Sequence, residues 1–126
     1  MPRNAITTDK IAPSIGPFSA AIQSAGFVFL SGQVALDPAT GKLIAGDVAA
    51  QTEQIFRNVG AVLDASGKGF ADVVKTLVFL ADMKDFAAMN AVYARHFTAP
   101  FPARTTIAVA GLPLGAAVEI EVLVGP

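Results

Sequence analysis

Arg104 is the residue in this sequence best suited to recognising an anion. It lies in residues 101–106, FPARTT, where a proline-stiffened loop enters a predicted strand and the backbone fixes its position. A planar guanidinium at such a point suits bidentate binding of a carboxylate. The alternative is a surface ion pair, which contributes little stability. The apolar surroundings and the small number of arginines favour a carboxylate site.

Two acidic residues and one glycine in predicted strands are further candidates for chemistry. Glu119 and Glu121 project from one face of the last strand, because apolar residues alternate with them. A carboxylate in a cleft between subunits can polarise water as a general base, whereas on a solvent-facing strand both would be solvated. Gly32, in the segment SGQ at 31–33, indicates a bulge or a close approach of backbone to a ligand, with a simple kink as the alternative.

Asn90 and His96 are the conspicuous polar side chains of the predicted second helix. At about 100° per residue, Asn90 falls within an apolar stripe. The stripe consists of Phe86, Tyr93 and Phe97. The Asn90 amide therefore points either into a site or into the core, where it would bond nearby backbone. His96 is the only histidine of a chain without cysteine, so the composition favours neither a metal site nor a Ser-His-Asp triad.

Periodicity and turn residues predict the elements that must position these side chains. In chain order they are a hairpin with strands over 18–22 and 27–30, a surface loop over 37–41, a helix from the N-cap Asp47 to Gly67, a central strand covered on both faces over 73–80, a second helix from Met83 to Phe97, and strands over 105–109 and 117–124. This order predicts an α/β fold, with a mixed sheet and both helices packed on one face. The other face is left apolar and uncovered, which predicts oligomerisation.

Composition limits the classes of function. The 126 residues predict a single domain over 1–126, with 53% hydrophobic and 15% charged residues. A net charge of −1 without runs of Lys or Arg does not favour a nucleic-acid partner. No apolar run is long enough for a membrane span, and the N-terminal segment lacks the order of a signal peptide. Because cysteine is also absent, we expect a cytoplasmic protein.

Several ordered sequence blocks closely resemble the RidA/YjgF family of reactive-intermediate deaminases. The blocks are IGPF at 15–18, SGQ at 31–33, DFAAMNAVY at 85–93, FPARTT at 101–106, GLP at 111–113 and VEIE at 118–121. The resemblance implies a chorismate-mutase-like α/β fold assembled as a homotrimer, with ligand clefts between subunits. It further implies hydrolysis of 2-imino acids, such as 2-iminopropanoate and 2-iminobutanoate, to 2-keto acids and ammonia without a cofactor.

The resemblance also implies roles for individual residues. Arg104 is expected to bind the substrate carboxylate as a bidentate pair, assisted by the backbone of Thr106. The Gly32 carbonyl and Glu119 are expected to position the attacking water, and Asn90 to order the cleft. A protonated imine is already electrophilic, so orientation, a placed water and proton transfer suffice.

Two positions depart from the pattern of the family. Phe18 stands where many relatives have tyrosine, and it keeps the wall of the cleft but lacks the hydroxyl. Losing a hydrogen bond worth on the order of 1 kcal/mol predicts a lower rate or a different choice of substrate. Thr106 stands where many relatives have cysteine, which matters less because its backbone makes the contact.

Three other functions are alternatives to the deaminase. A non-catalytic trimeric binder of small carboxylates would keep the Arg104 site without turning over imines. A ribonuclease or translation inhibitor is an activity named for some relatives, but the acidic pI of about 5.6 does not favour it. A chaperone-like role would use exposed apolar surface, for which the sequence gives no positive sign.

Overall fold

A computed structural model describes residues 2–126 as a mixed six-stranded sheet with two α-helices. The elements are β1 Asn4–Ile6, β2 Ala21–Ser24, β3 Phe27–Gln33, α1 Val48–Ala65, β4 Val73–Leu80, α2 Phe86–Tyr93, β5 Ala103–Ala108 and β6 Val118–Val124. The strand order is β1-β2-β3-β6-β4-β5, in which β4 and β5 are parallel and the other neighbours are antiparallel. Both helices pack into one core with the same face of the sheet, which confirms the predicted fold class.

Helix α1 begins and ends where the sequence predicts. The side chain of the N-cap Asp47 accepts a hydrogen bond of 3.0 Å from the Ala50 amide. After the helix, Gly67 has a φ of +71°, a conformation that glycine adopts without strain. Between these ends, apolar residues such as Ile55 and Val59 are buried against the sheet. The local signals at both ends are therefore sufficient to place this helix.

The second helix is shorter than predicted. Instead of one helix from Met83 to Phe97, the chain forms a 3₁₀ turn followed by the eight residues of α2. Before α2, the Asp82 side chain accepts a hydrogen bond of 2.9 Å from the Lys84 amide and caps a turn in which the Asp85 amide bonds to the Asp82 carbonyl three residues back, which is 3₁₀ bonding. After α2, the His96 amide bonds to the carbonyl three residues back, which tightens the chain out of α-helical geometry. Neither α1 nor α2, the helices of residues 2–126, is long and apolar enough to cross a membrane.

The strands differ from the prediction at their ends and in one case in burial. Strand β2 begins at Ala21, so Phe18 lies in the preceding loop rather than in the strand. Strand β1 was not predicted, because three residues are too few to show alternation. Strand β4 is interior, between β6 and β5, but only one of its faces is buried. The prediction that β4 is covered on both faces is therefore wrong for the single chain, since both helices lie on the same side.

The sheet has one covered and one open face. On β6, Val118, Ile120 and Val122 face the helices and are buried. On β3, Phe27 and Phe29 lie on the opposite face and are exposed by 36% and 48%. The uncovered face that the element order predicts is present in the single chain; it is apolar at β3 and carries the two acidic residues of β6. Oligomerisation itself stays a prediction.

Gln51 of α1 ties the helix to the segment that leads into β6. Its side-chain oxygen accepts a hydrogen bond of 2.9 Å from the Ala117 amide, and its nitrogen donates to the Gly46 carbonyl at 3.4 Å. The side chain is buried, so water cannot readily replace these partners. Gln51 therefore fixes the start of β6, just before Glu119.

Replacing Gln51 with leucine removes both hydrogen bonds and leaves the Ala117 amide without its partner. We expect Gln51→Leu to lower the free energy of unfolding by about 1 to 3 kcal/mol, measured by urea unfolding. Gln54→Leu on the same helix is the matched control, because the Gln54 side chain bonds to another side chain, Asn58, rather than to backbone. Equal losses in the two variants would contradict the role assigned to Gln51.

Candidate active site

Arg104 lies on β5, the edge strand beside β4. Its register partner on β4 is Thr76, and register partners project from the same face of a sheet. Thr76 is buried and hydrogen-bonded to a residue of α2, so Arg104 also projects to the helix-covered face. The guanidinium carbon lies 4.6 Å from the centre of the Tyr93 ring and 5.6 Å from the centre of the Phe86 ring. Two aromatic rings of α2 thus hold the cation in place.

A hollow of about 410 Å³ opens beside this guanidinium. Its lining residues are Asn90, Tyr93, Ala94, Phe101, Pro102 and Arg104. The structure therefore brings Asn90, which is half-buried, to the same hollow as Arg104. Among residues 2–126 the ion pairs have Asp82 or Glu53 as the acid, and none includes Arg104. Its charge and N–H donors are available for an anion, which the alternative of a surface ion pair would not allow.

Thr106 projects from the same face of β5 as Arg104. Its register partner on β4 is Val78. Its hydroxyl oxygen is buried and has no hydrogen-bond partner in the part of the chain that the structure describes. The sequence predicts a contact through the Thr106 backbone alone, and this unpaired hydroxyl is a polar group that the sequence did not reveal.

Glu119 lies on β6, against the backbone of Gly32. The register between β3 and β6 shifts between Leu30 and Gln33, so the strand is irregular at Gly32, as the sequence predicts for a bulge or a kink. A Cβ added to Gly32 would lie 2.5 Å from Oε2 of Glu119, so glycine is needed to leave room for this carboxylate. Burial raises the pKa of Glu119, and the negative charge of Glu121 raises it further. A carboxyl group with a raised pKa is suited to taking up and releasing a proton during a reaction.

A second hollow, of about 450 Å³, opens at Glu119. Ser31, Gly32 and Gln33 form one wall, and Phe18 forms part of the apolar wall. Phe18 is more than half exposed, because it lies in the loop before β2. The structure therefore brings three of the predicted site residues, Phe18, Gly32 and Glu119, to a hollow different from that of Arg104.

Arg104 and Glu119, the charged residues of the two hollows, project from opposite faces of the sheet. Glu119 is the register partner of Phe79 on β4, whereas Arg104 is the partner of Thr76. Positions 76 and 79 are an odd number of residues apart, so their side chains project from opposite faces. Arg104 and Glu119 of one chain are consequently separated by the sheet. A single chain carries two halves of the predicted site rather than a complete one.

His96, in the segment after α2, contacts α1 and lies outside both hollows. Its Nε2 atom is 2.8 Å from Oε2 of Glu53 on α1, and its ring stacks on Phe56 with the centroids 4.6 Å apart. The hydrogen bond from His96 holds the pKa of Glu53 below its usual value. The imidazole therefore stabilises the packing of the segment after α2 against α1.

The contact between Tyr93 and Arg104 is not predicted from the sequence, because the helical spacing places Tyr93 in an apolar stripe, as a residue of the core. Tyr93 is the only tyrosine of the chain, and a buried tyrosine usually needs a hydrogen-bond partner for its hydroxyl. That requirement was the available signal that Tyr93 lies beside polar groups.

Comparison with known proteins assigns the chain to a family. A family model described as Endoribonuclease L-PSP matches residues 8–125. Reactive Intermediate Deaminase A, chloroplastic, of Arabidopsis thaliana is 47% identical over 119 residues, which cover 94% of this chain and 64% of that relative. The 2-iminobutanoate/2-iminopropanoate deaminase of Mus musculus is 45% identical over 121 residues, which cover 96% of this chain and 90% of that relative. The chain belongs to the RidA/YjgF family.

A solved structure from the same family supports the fold. The crystal structure of E. coli TdcF with bound serine has a TM-score of 0.91 to this chain at 34% identity, covering 98% of both chains. RidA/YjgF members carry names that refer both to imine deaminases and to endoribonucleases. Membership in the RidA/YjgF family therefore establishes the fold, while the activity of this member has to be argued from its site.

Glu121 offers a direct test of the electrostatics of this RidA/YjgF site. Because the charge of Glu121 raises the pKa of Glu119, removing that charge should lower it. We expect Glu121→Gln to move the protonation of Glu119 to lower pH, measured by NMR titration of the Glu119 side-chain carboxyl carbon. Asp64→Asn removes an equal charge from the exposed end of α1 and serves as control. A titration curve of Glu119 that stays the same in Glu121→Gln would rule out this coupling.

Proposed function

We propose that this chain is a hydrolytic deaminase of small 2-imino acids, including 2-iminopropanoate and 2-iminobutanoate. The observation that carries the proposal is the pair of complementary half-sites. One half-site holds a guanidinium without a carboxylate partner among residues 2–126, and the other holds a carboxyl group whose pKa is raised. An anion receptor and a proton acceptor are the two parts that imine hydrolysis requires.

The complete site, in this proposal, forms between neighbouring copies in a homotrimer. Arg104 and Glu119 project from opposite faces of one sheet, so two copies are needed to bring both to one ligand. A head-to-tail contact repeated three times closes into a ring and gives each interface one Arg104 half-site and one Glu119 half-site. The open apolar face of the sheet, with Phe27 and Phe29 exposed, supplies surface for such contacts.

The proposed reaction uses both half-sites. Arg104 of one copy binds the substrate carboxylate through two N–H groups, assisted by the Thr106 backbone. In the neighbouring copy, the Gly32 carbonyl and Glu119 hold a water molecule, and Glu119 takes its proton as the oxygen adds to the imine carbon. Glu119 then protonates the nitrogen of the tetrahedral intermediate, and the C–N bond breaks with release of ammonia. The remaining hydroxyl proton passes through Glu119 to solvent as the 2-keto acid forms.

Asn90 and Phe18 contribute to the cleft in different ways. Asn90 lines the Arg104 hollow, where its amide can order the carboxylate or a bound water. Phe18 forms an apolar wall of the Glu119 hollow without offering a hydrogen bond. Water, a fixed cation and an acid–base group suffice for this hydrolysis, so the proposal includes no cofactor.

The activity is tested by supplying 2-iminopropanoate as it is formed. An amino-acid oxidase acting on alanine generates the imine, and its disappearance and the release of ammonia are followed with and without the protein. We expect both rates to exceed the spontaneous rate in proportion to protein concentration. Rates equal to the spontaneous hydrolysis would overturn the deaminase proposal.

The shared site is tested by mixing two inactive variants. In a ring of three copies, every trimer that contains both Arg104→Ala and Glu119→Gln copies has one interface with both native residues. Trimers reassembled from equal amounts should therefore regain about a quarter of the wild-type activity, while each variant alone stays inactive. Failure to regain activity, in samples that native mass spectrometry finds mixed, would contradict a site shared between copies.

Gly32 provides a prediction that separates activity from stability. In Gly32→Ala the new Cβ would meet the Glu119 carboxylate, whose flexible end can move aside at little cost to the fold. We expect nearly unchanged thermal unfolding but a loss of about 10²-fold in kcat/KM, because the displaced carboxylate no longer holds the water. Gly69→Ala is the control, since a Cβ there meets nothing within 4 Å. Full activity in Gly32→Ala would contradict the placement of Glu119.

Two outcomes would favour the other functions. Phe18 lacks a hydroxyl for orienting the substrate, which makes a non-catalytic binder of small carboxylates the second candidate. Binding of pyruvate by calorimetry without any acceleration of imine hydrolysis would select it. RNA cleavage that persists in Arg104→Ala and rises with purity would instead assign the endoribonuclease activity named in the family description.

A further inference from the structure

The Arg104 guanidinium is supported by aromatic rings rather than by an acid. Its carbon lies 4.6 Å from the centre of the Tyr93 ring and 5.6 Å from that of Phe86. A carboxylate partner would orient the guanidinium but would also neutralise it and occupy its N–H groups. Aromatic faces orient the cation and leave its N–H groups available to a ligand. The orientation of Arg104 therefore depends on how firmly the rings themselves are held.

Tyr93 is the more firmly held of the two rings. Its side chain is buried, whereas Phe86 is exposed by 36%. The Tyr93 ring packs against Phe97 and Phe56, with centroids 4.7 and 5.7 Å apart. Its hydroxyl shares a hydrogen bond of 2.8 Å with the Thr76 hydroxyl, and either group can donate. Neither hydroxyl is open to solvent, so the bond is not readily exchanged for water.

The partner of the Tyr93 hydroxyl is significant because of its place in the sheet. Thr76 lies on β4 directly beside Arg104 of β5. The hydrogen bond between Tyr93 and Thr76 therefore fixes α2 to the pair of strands from which the guanidinium projects. Any buried polar partner would satisfy a tyrosine of the core, but Thr76 as the partner sets the distance between the ring and the cation that rests on it.

We propose that Tyr93 and Thr76 are positioning residues for Arg104 and set the affinity of the site for carboxylates. The proposal rests on the deaminase function in assigning the carboxylate to Arg104. Loss of the Tyr93 hydroxyl keeps the ring but releases it from β4, so the guanidinium adopts a wider range of orientations. Because Arg104 holds the carboxylate in the ground and transition states alike, the main effect is on KM rather than on kcat.

The experiment compares Tyr93→Phe and Thr76→Val with a matched control. Thr52→Val is that control, because Thr52 and Thr76 are both 0% exposed, and the Thr52 hydroxyl bonds only within α1, to the Val48 carbonyl. We expect the two test variants to bind pyruvate about 2- to 10-fold more weakly by calorimetry, and to raise KM by a similar factor. Thr52→Val should bind pyruvate as the wild type does, whatever it does to thermal unfolding.

A second measurement reports on the orientation of Arg104 itself. The ring current of Tyr93 should shift the Arg104 Nε–H resonance, and Tyr93→Phe and Thr76→Val should move that resonance toward its random-coil position. Wild-type pyruvate affinity and an unmoved resonance in both variants would overturn the positioning proposal and leave the deaminase proposal intact. If both variants bind pyruvate more weakly but the wild type does not accelerate imine hydrolysis, the positioning role is sustained and the deaminase proposal is overturned. A wild-type protein that neither binds pyruvate nor accelerates imine hydrolysis would overturn both.

Discussion

Arg104→Ala is expected to lower kcat/KM for 2-iminopropanoate by about 10²- to 10³-fold, because a charge-assisted bidentate pair is lost from the complex. The loss should appear mainly as weaker binding, since the carboxylate takes no part in bond breaking. Calorimetry with pyruvate should accordingly find no measurable binding to this variant. The fold should persist, because Arg104 is half-buried on an edge strand and pairs with no acid among residues 2–126.

Two further substitutions test whether the loss of affinity is specific to the guanidinium of Arg104. Arg104→Lys keeps the charge but not the planar fork, so it should recover only part of the affinity. Arg95→Ala is the matched control, because Arg95 lies in an exposed position after α2 and its guanidinium is 3.7 Å from the Glu53 carboxylate. An Arg104→Ala variant that retained wild-type kcat/KM would refute the assignment of the carboxylate to this residue.

Glu119→Gln is expected to reduce kcat by about 10²- to 10⁴-fold while leaving pyruvate affinity close to that of the wild type. The amide keeps the size of the side chain but cannot accept the proton of the attacking water. In the wild type, activity should fall as pH decreases through the pKa of Glu119, since only the ionised carboxylate can act as base. That acidic limb should lie above the usual range for glutamate, because burial and Glu121 raise the pKa.

The control for Glu119→Gln is the same substitution at the neighbouring acidic position. Glu121 is exposed, so Glu121→Gln should retain most of kcat. It should also move the acidic limb of the pH profile to lower pH, in the same direction as the NMR titration. A Glu119→Gln variant with wild-type kcat would show that another group activates the water.

The parts of the fold that sequence predicts are those that local interactions determine. The N-cap Asp47 and the terminal Gly67 bound α1, and alternation from Val118 to Val124 identifies β6. The predicted length of α2 was wrong because the segments before and after it bond to the carbonyl three residues back, which does not alter the apolar period. The prediction that both faces of β4 are covered was wrong because coverage depends on where the helices pack, which is a property of the whole chain.

The candidate site was predictable as a set of residue types but not as an arrangement. Arg104 after a proline-stiffened loop and Gly32 within a strand have local signals that the sequence displays. Their separation onto two hollows depends on the register of β4 with β5 and β6, which pairs residues distant in sequence. The support of Arg104 by Tyr93 depends likewise on how α2 packs on the sheet.

The location of Arg104 and Glu119 on opposite sides of one sheet bears on how this chain would respond to dilution and to damage. Under the proposed assembly, an isolated copy contains no complete site, so specific activity should vanish when trimers dissociate. A copy that has lost both residues spoils the interfaces on each of its sides, whereas a copy that has lost one spoils only the interface to which it contributed. Natural selection would therefore act on Arg104 and Glu119 independently, because each residue completes a site with a different neighbouring copy.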